Sequence, residues 1–328
     1  MFQKIFIESH LKNNPHALNI LSHFKSEVIE IDSYDNYFNR VKKPYLEKRE
    51  NLNLYIAEKK GDLIKEAPPA YGHGEEKHFY FIHAYNCLYE CEYCYLQGYF
   101  HSPDLVWFIN HDEILSEMKN ILNTHSDSWF HAGEFSDSLA LSHFTGELPL
   151  YFDFFKNHPN AKLELRTKSA NTKALQTLTP LPNIYVSYSL SPAKAAQAFD
   201  LKTPSLKARL IAMEKLSSLG FKLAVHLDPI IYDENFLSEY QMLIQELTPL
   251  KEAIHYISLG VVRFPKDIYQ EVQKNYPNSK LLEQEFITSF DNKVRYQKPM
   301  RMWMMNKIKD ELLLAGFKNE IIYLCMEN

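Results

Sequence analysis

The stretch "HAYNCLYECEYCYLQGYF", His83 to Phe100, decides how the rest of the chain is read. It holds three of the protein's four cysteines, Cys87, Cys91 and Cys94, in a C-x3-C-x2-C spacing. Pairing any two as a disulfide would leave the third without a near partner, so the group points to ligand or redox chemistry. Structural zinc sites usually close a tetrahedron with two separated Cys or His pairs, and no second pair is present. A zinc site borrowing His83 or His101 as fourth ligand stays open on spacing alone, as does a non-catalytic redox sensor. A 4Fe-4S cluster normally takes four thiolates, one per iron. Three thiolates leave one iron open to an outside ligand, which turns an electron carrier into a catalyst.

The remainder of the chain suits an enzyme of ordinary globular make-up. Its 328 residues are 45% hydrophobic and 23% charged, enough for one large core with a small appended unit. The opening "MFQKIFIESHLKNN" mixes apolar with charged residues and no later apolar run approaches ~18 residues, so the sequence predicts a cytoplasmic protein with no membrane partner. A net charge of -5 argues against a general positive field for nucleic acid. Contact with DNA would need a local basic patch.

Working toward the N-terminus, "KIFIE", "HALNILSHFKS" and "EVIEI" predict a β-α-β unit, followed by a charged helix from Tyr45 to Lys60. Pro68, Pro69, Gly72 and Gly74 then interrupt both helix and strand, which predicts an N-terminal extension over 1–75 and a second unit over 76–328. Beyond the break, six apolar strands alternate with helices: "HFYFIHA", "SWFHAG", "KLELRTK", "NIYVSYSL", "KLAVHLDPI" and "IHYISLGVV". Helices are expected over 112–123, 138–157, 171–178, 205–219, 236–247 and 265–275. This alternation predicts an α/β fold, a partial (β/α)6 barrel with a parallel sheet, ending in one more helix and a strand "EIIYLCME". The cysteine loop follows the first barrel strand, at the end where such folds build active sites.

A C-x3-C-x2-C loop in that position resembles the radical S-adenosylmethionine superfamily, in which Cys87, Cys91 and Cys94 would hold a 4Fe-4S cluster and the open iron would chelate S-adenosylmethionine. A narrower resemblance spans nearly the whole chain. "CEYCYLQ", "FHAGEFSD", "RTKS", "SYSLS", "VRFPK" and "KNYPNSKL" together look like the spore photoproduct lyase family, whose members reverse a methylene-bridged thymine dimer in DNA. The resemblance implies that adenosyl-radical hydrogen abstraction acts on DNA carrying a pyrimidine lesion, with flavodoxin or ferredoxin as electron donor.

Residue by residue, it implies that Gly133, Glu134, Ser136, Lys168 and Ser189 meet the cofactor and that Tyr93 and Tyr95 return a hydrogen atom to it. A cation such as Lys168 just past a strand end suits a carboxylate. The sequence departs from the family at Glu134, where the resemblance implies a cysteine that gives a hydrogen atom to the product. The remaining cysteine, Cys325, lies in the last strand, where burial as a small apolar side chain is expected. Asn292 to Trp303 interleaves basic and aromatic residues, which on sequence alone fits a helix that packs Met300, Trp303, Met304 and Ile308 on the barrel and leaves its charges in water; the family resemblance implies instead that Arg295 and Tyr296 meet the substrate. A different nucleoside or small-molecule substrate on the same fold remains the alternative within this chemistry.

Overall fold

The six apolar runs become six strands that lie side by side in chain order, every neighbouring pair parallel: His78–Phe81, Trp129–Ala132, Lys162–Thr167, Ile184–Ser189, Lys222–Ile230 and Ile254–Val261. The structure is a computed structural model, which describes residues 2–38, 51–68, 71–72 and 76–326. Ile322–Leu324 extends the sheet in parallel beside Ile254–Val261, and Ile64–Glu66 borders the other side antiparallel to His78–Phe81. The result is the expected open, partial barrel. Side chains alternate along each strand. Along Lys162–Thr167, for example, Leu163 and Leu165 join the apolar core while Glu164 and Arg166 enter a polar network on the opposite face.

Helices His111–Leu122, Leu206–Ser218, Phe236–Leu247 and Lys266–Asn275 return the chain as the periodicity predicts. Two expected helices differ. That over 138–157 divides into Ser142–Thr145 and Leu148–Asn157, because Gly146 takes a left-handed φ of 71° and terminates the first piece. The one over 171–178 is a single 3-10 turn, Leu175–Thr177.

The N-terminal β-α-β unit forms as read, from Lys4–Glu8, Pro15–Ser22 and Glu27–Ile31, with its two strands parallel. Of the helix expected over 45–60, residues 45–50 lie outside the described residues. The rest contains a strand instead: Leu54–Ala57 pairs in parallel with Lys4–Glu8, and all four of its side chains are buried, a pattern no one-sided helix gives. The sheet continues through Leu105–Phe108 to Ala84–Tyr85. Strands from both sides of residue 75 therefore build each of these two sheets. Between them lies an aromatic layer of Tyr34, Phe38, Tyr55, Phe100, Phe108 and Phe135, against which Cys87, Cys94 and Tyr95 pack. Among the described residues no helix is long and apolar enough to cross a membrane.

Candidate active site

The cysteine loop is held open by its own polar groups. Asn86 adopts a left-handed φ of 64°, a conformation asparagine tolerates better than most residues, and its amide donates to the carbonyls of Ser102 at 2.6 Å and Asp104 at 2.7 Å. The Tyr89 N–H donates to Cys87 Sγ at 3.4 Å. Gln97 donates to the carbonyls of Glu92 at 2.8 Å and Cys94 at 2.9 Å, and its own oxygen accepts from Asn275 at 2.8 Å. Glu90–Cys91 pairs antiparallel with Asp200–Leu201, which fixes the middle of the loop.

None of the three loop cysteines is in a disulfide, and all three line one cavity of about 440 Å3 at the carboxyl ends of the barrel strands. Burial, followed by the Asp200 charge, pushes the Cys91 thiol well above its usual range, while Lys168 acts in the opposite sense. Such a thiol is ionised by binding a metal. Soft thiolates suit an iron–sulfur cluster, whose separate irons meet separate thiolates. Among the described residues no group of three or more His, Cys, Asp or Glu side chains is set to hold a single metal ion. Three thiolates on one loop, facing one cavity, fit such a cluster.

Gly133, Glu134, Ser136, Lys168 and Ser189 line the same cavity, as do Tyr93 and Tyr95. Gly133 has a φ of 96°, and a Cβ there would lie 2.8 Å from Ser138 Oγ and 2.9 Å from the Arg166 carbonyl, so no larger residue fits. Asp137, buried beside it, accepts from the backbone N–H groups of Leu139, Ala140 and Lys168 and from the Thr167 hydroxyl at 2.7–2.9 Å. That carboxylate ties the loop after the second barrel strand to the end of the third. Lys168 stands with its Nζ 5.4 Å from the Tyr93 ring centroid. Burial opposes its charge, but Asp200 and Cys91 hold its pKa above the ordinary value.

Both loop tyrosines are anchored through their hydroxyls. Tyr93 donates to Asp200, which also pairs with Arg209 at 2.8 Å. Arg209 is wholly buried and donates further to the carbonyls of Ser189 and Pro204 at 3.0 Å. Tyr95 bonds to Glu134. Burial foremost, and then the adjoining carboxylates, push both phenols well above their usual range, so they stay protonated. The sequence reading passed over Asp200 and Arg209. A usable signal exists for Arg209, an ionic residue in helical phase with the buried Leu206, Met213 and Leu216.

The far end of the cavity is lined by Arg166, His226, Asp228, Arg263 and Cys325. Below it, fully buried Glu164 accepts from Ser187 and Tyr256 at 2.6 Å, His226 at 2.7 Å and Arg166 at 3.1 Å, and also contacts His131. Cys325 is buried as expected, yet its place is in the cavity wall and not among purely apolar neighbours. Arg295 and Tyr296 do not line this cavity. Arg295 is turned back onto Ser289 and Asp291, and the Tyr296 hydroxyl sits between the Tyr232 N–H and Gln284. Lys293 of the same short sheet, formed by Arg263–Pro265, Ile287–Thr288 and Lys293–Arg295, reaches the cavity in their place.

Comparison with known proteins agrees with this architecture. The sequence profile of the family described as "Spore photoproduct lyase" matches residues 1–298. The chain is 24% identical over 291 residues to spore photoproduct lyase of Bacillus subtilis (strain 168), covering 85% of this chain and 83% of that protein. It is 26% identical over 205 residues to that of Geobacillus sp. (strain Y412MC61), covering 60% of each. A solved spore photoproduct lyase variant carrying a dinucleoside spore photoproduct superposes with a TM-score of 0.83 at 19% identity, over 99% of this chain and 98% of the other. Another, with bound AdoMet and the same dinucleoside, gives 0.81 at 19% identity, over 100% of this chain and 99% of the other. With a profile match over most of its length, this chain belongs to the spore photoproduct lyase family.

Proposed function

We propose that this protein reverses a thymine dimer photoproduct in DNA by radical chemistry, using a 4Fe-4S cluster and S-adenosylmethionine. The observation that carries the reading is the meeting of three cysteines outside any disulfide with Gly133, Glu134, Ser136, Lys168 and Ser189 around one cavity, in a chain of this family. Cys87, Cys91 and Cys94 hold the cluster. Glu134 and Lys168 offer opposite charges for the ammonium and carboxylate of the cofactor's amino-acid part, and Gly133 lets backbone come close. When bound, these cofactors supply the means to remove a hydrogen atom from substrate and to take one back. The protein's own part is positioning and the exclusion of water. Tyr93 and Tyr95, protonated and anchored, keep a hydrogen atom available beside the thiols. Glu134 occupies the place of the family's donor cysteine.

The DNA side of the reading rests on the short antiparallel sheet at the cavity. Lys293 enters the cavity, while Phe290, on the turn of the same hairpin, is 100% exposed. A bare phenyl ring there can wedge into a duplex from which a lesion must be unstacked. The protein works in the cytoplasm, with flavodoxin or ferredoxin as reductant.

The test is an anaerobic incubation of reconstituted, reduced protein with S-adenosylmethionine and a dinucleotide carrying the dimer, with thymine release and 5′-deoxyadenosine quantified by chromatography. Thymine together with deoxyadenosine is expected. Deoxyadenosine without thymine would move the enzyme to a different substrate, and neither product from protein shown to hold the cluster would end the enzymatic reading.

A further inference from the structure

Cys325 does not stand alone in the cavity wall. Arg263 Nη2 lies 3.8 Å from Cys325 Sγ, and the same guanidinium meets both carboxylate oxygens of Asp228, at 3.5 and 3.4 Å, and the Val261 carbonyl at 3.2 Å. Asp228 is itself fixed from behind, because a Cβ on Gly260 would come within 2.5 Å of its carboxylate. Three strand ends thus build one cradle, Asp228 from Lys222–Ile230, Arg263 from Arg263–Pro265 and Cys325 from just past Ile322–Leu324. The cradle lines the cavity that the three loop thiols share. Nothing in the cluster chemistry employs this fourth thiol.

A carbon-centred product radical must gain one hydrogen atom, and an S–H bond is weaker than a C–H bond, whereas a carboxylate has none to give. We infer that Cys325 is the hydrogen-atom donor to the product, so that the thiol missing at Glu134 is supplied from the opposite edge of the barrel. This inference rests on the proposed lesion repair. In the step, the S–H bond breaks homolytically, a C–H bond forms on the product, and a sulfur radical remains. A phenol O–H lining the same cavity returns a hydrogen atom to sulfur, and the atom first taken from the substrate is returned to that phenol. Atoms and electrons therefore balance without an outside reductant for this step. Donation requires the thiol and not the thiolate, and burial, with Asp228 next, lifts Cys325 to about 11, which keeps the proton on sulfur.

The experiment compares wild type, Cys325→Ser, Cys325→Ala and the double variant Cys325→Ala with Glu134→Cys. Each is assayed for cluster iron, for binding of the lesion dinucleotide, and for the ratio of thymine released to deoxyadenosine formed. Serine preserves size, so Cys325→Ser should keep iron and dinucleotide binding while the ratio falls by about tenfold. The double variant should recover much of that loss, an outcome that a packing role for Cys325 would not produce. An unchanged ratio in Cys325→Ser overturns the inference and leaves the repair reading intact. Absence of thymine from the wild type overturns the repair reading instead. If Cys325→Ser loses cluster or dinucleotide binding along with the ratio, and the double variant recovers nothing, the residue is structural and the inference falls.

Discussion

The hydroxyl of Tyr95 lies within hydrogen-bonding reach of two oxygens of Glu134, its backbone carbonyl and, at 3.0 Å, its carboxylate Oε1. The cysteine loop is thereby bonded directly to the end of the second barrel strand. Replacing Tyr95 with Phe removes this bond and leaves a half-buried carboxylate short of one donor, which should cost about 1 kcal/mol of stability. Turnover should fall much further, by about tenfold or more, if the phenol carries a hydrogen atom. Glu134→Gln retains the oxygen acceptor and should hold Tyr95 in place. Thermal melts set beside single-turnover rates separate the two effects.

Arg209 should be less replaceable than its distance in sequence from the cysteines suggests. Arg209→Ala would take from buried Asp200 its ion-pair partner and leave it only the Tyr93 hydroxyl and the nearby Lys168 charge, a loss of about 3 kcal/mol. It would also loosen the anchor of Tyr93 and the strand paired with Glu90–Cys91. Lysine should not rescue it, because one ammonium cannot replace a fork that meets Asp200, Ser189, Pro204 and Thr203 together. Denaturation midpoints and iron retained after gel filtration report the two losses.

Phe290 offers a test confined to duplex DNA. If its ring wedges beside the lesion, Phe290→Ala should weaken binding of a lesion-bearing duplex by about 1–3 kcal/mol. Repair of the isolated dinucleotide, which has no stack to open, should be unaffected. Equal effects on both substrates would remove the ring from DNA recognition.

His83 sets an acid limit. The side chain is buried against Trp107, with ring centroids 5.1 Å apart, and among the described residues neither ring nitrogen has a hydrogen-bond partner. Burial lowers its pKa from 6.5 to about 4. The unfolded chain therefore binds the extra proton first, so stability is complete above pH 6.5 and declines as the pH falls toward 4. The loss approaches about 3 kcal/mol. In His83→Phe the slope of unfolding free energy against pH should drop over that window by about 1.4 kcal/mol per unit, measured by urea titration.

The alternating strands and helices of the barrel were legible because each strand is an apolar run and each longer helix has a buried face. Leu54–Ala57 and Leu105–Phe108 were not. Each is four residues long and buried throughout, so neither shows an alternation that marks a strand, and charged neighbours made the first read as helix. At the site, the cysteine spacing could be read from local order alone, while Tyr93 and Tyr95 were picked out only through the family resemblance. The Asp200–Arg209 pair, the Glu164 network and the approach of Cys325 depend on contacts between distant segments, which no local pattern encodes. Arg295 and Tyr296 are expected at the substrate from the family resemblance, but a resemblance of short segments does not say which residues of a hairpin face inward. There the inward residue is Lys293.

The cysteine loop leaves one sheet and returns to the other: it follows His78–Phe81 of the barrel and runs into Leu105–Phe108, which pairs with Leu54–Ala57. The barrel is consequently not a portable cassette. Grafting residues 76–328 alone into another host would carry over every proposed cofactor residue, yet leave Leu105–Phe108 without its parallel neighbour and the aromatic layer under Cys87 and Cys94 without Tyr34, Phe38 and Tyr55. The N-terminal strands are, in engineering terms, part of the foundation of the cluster loop, and any minimal version of this enzyme has to retain them.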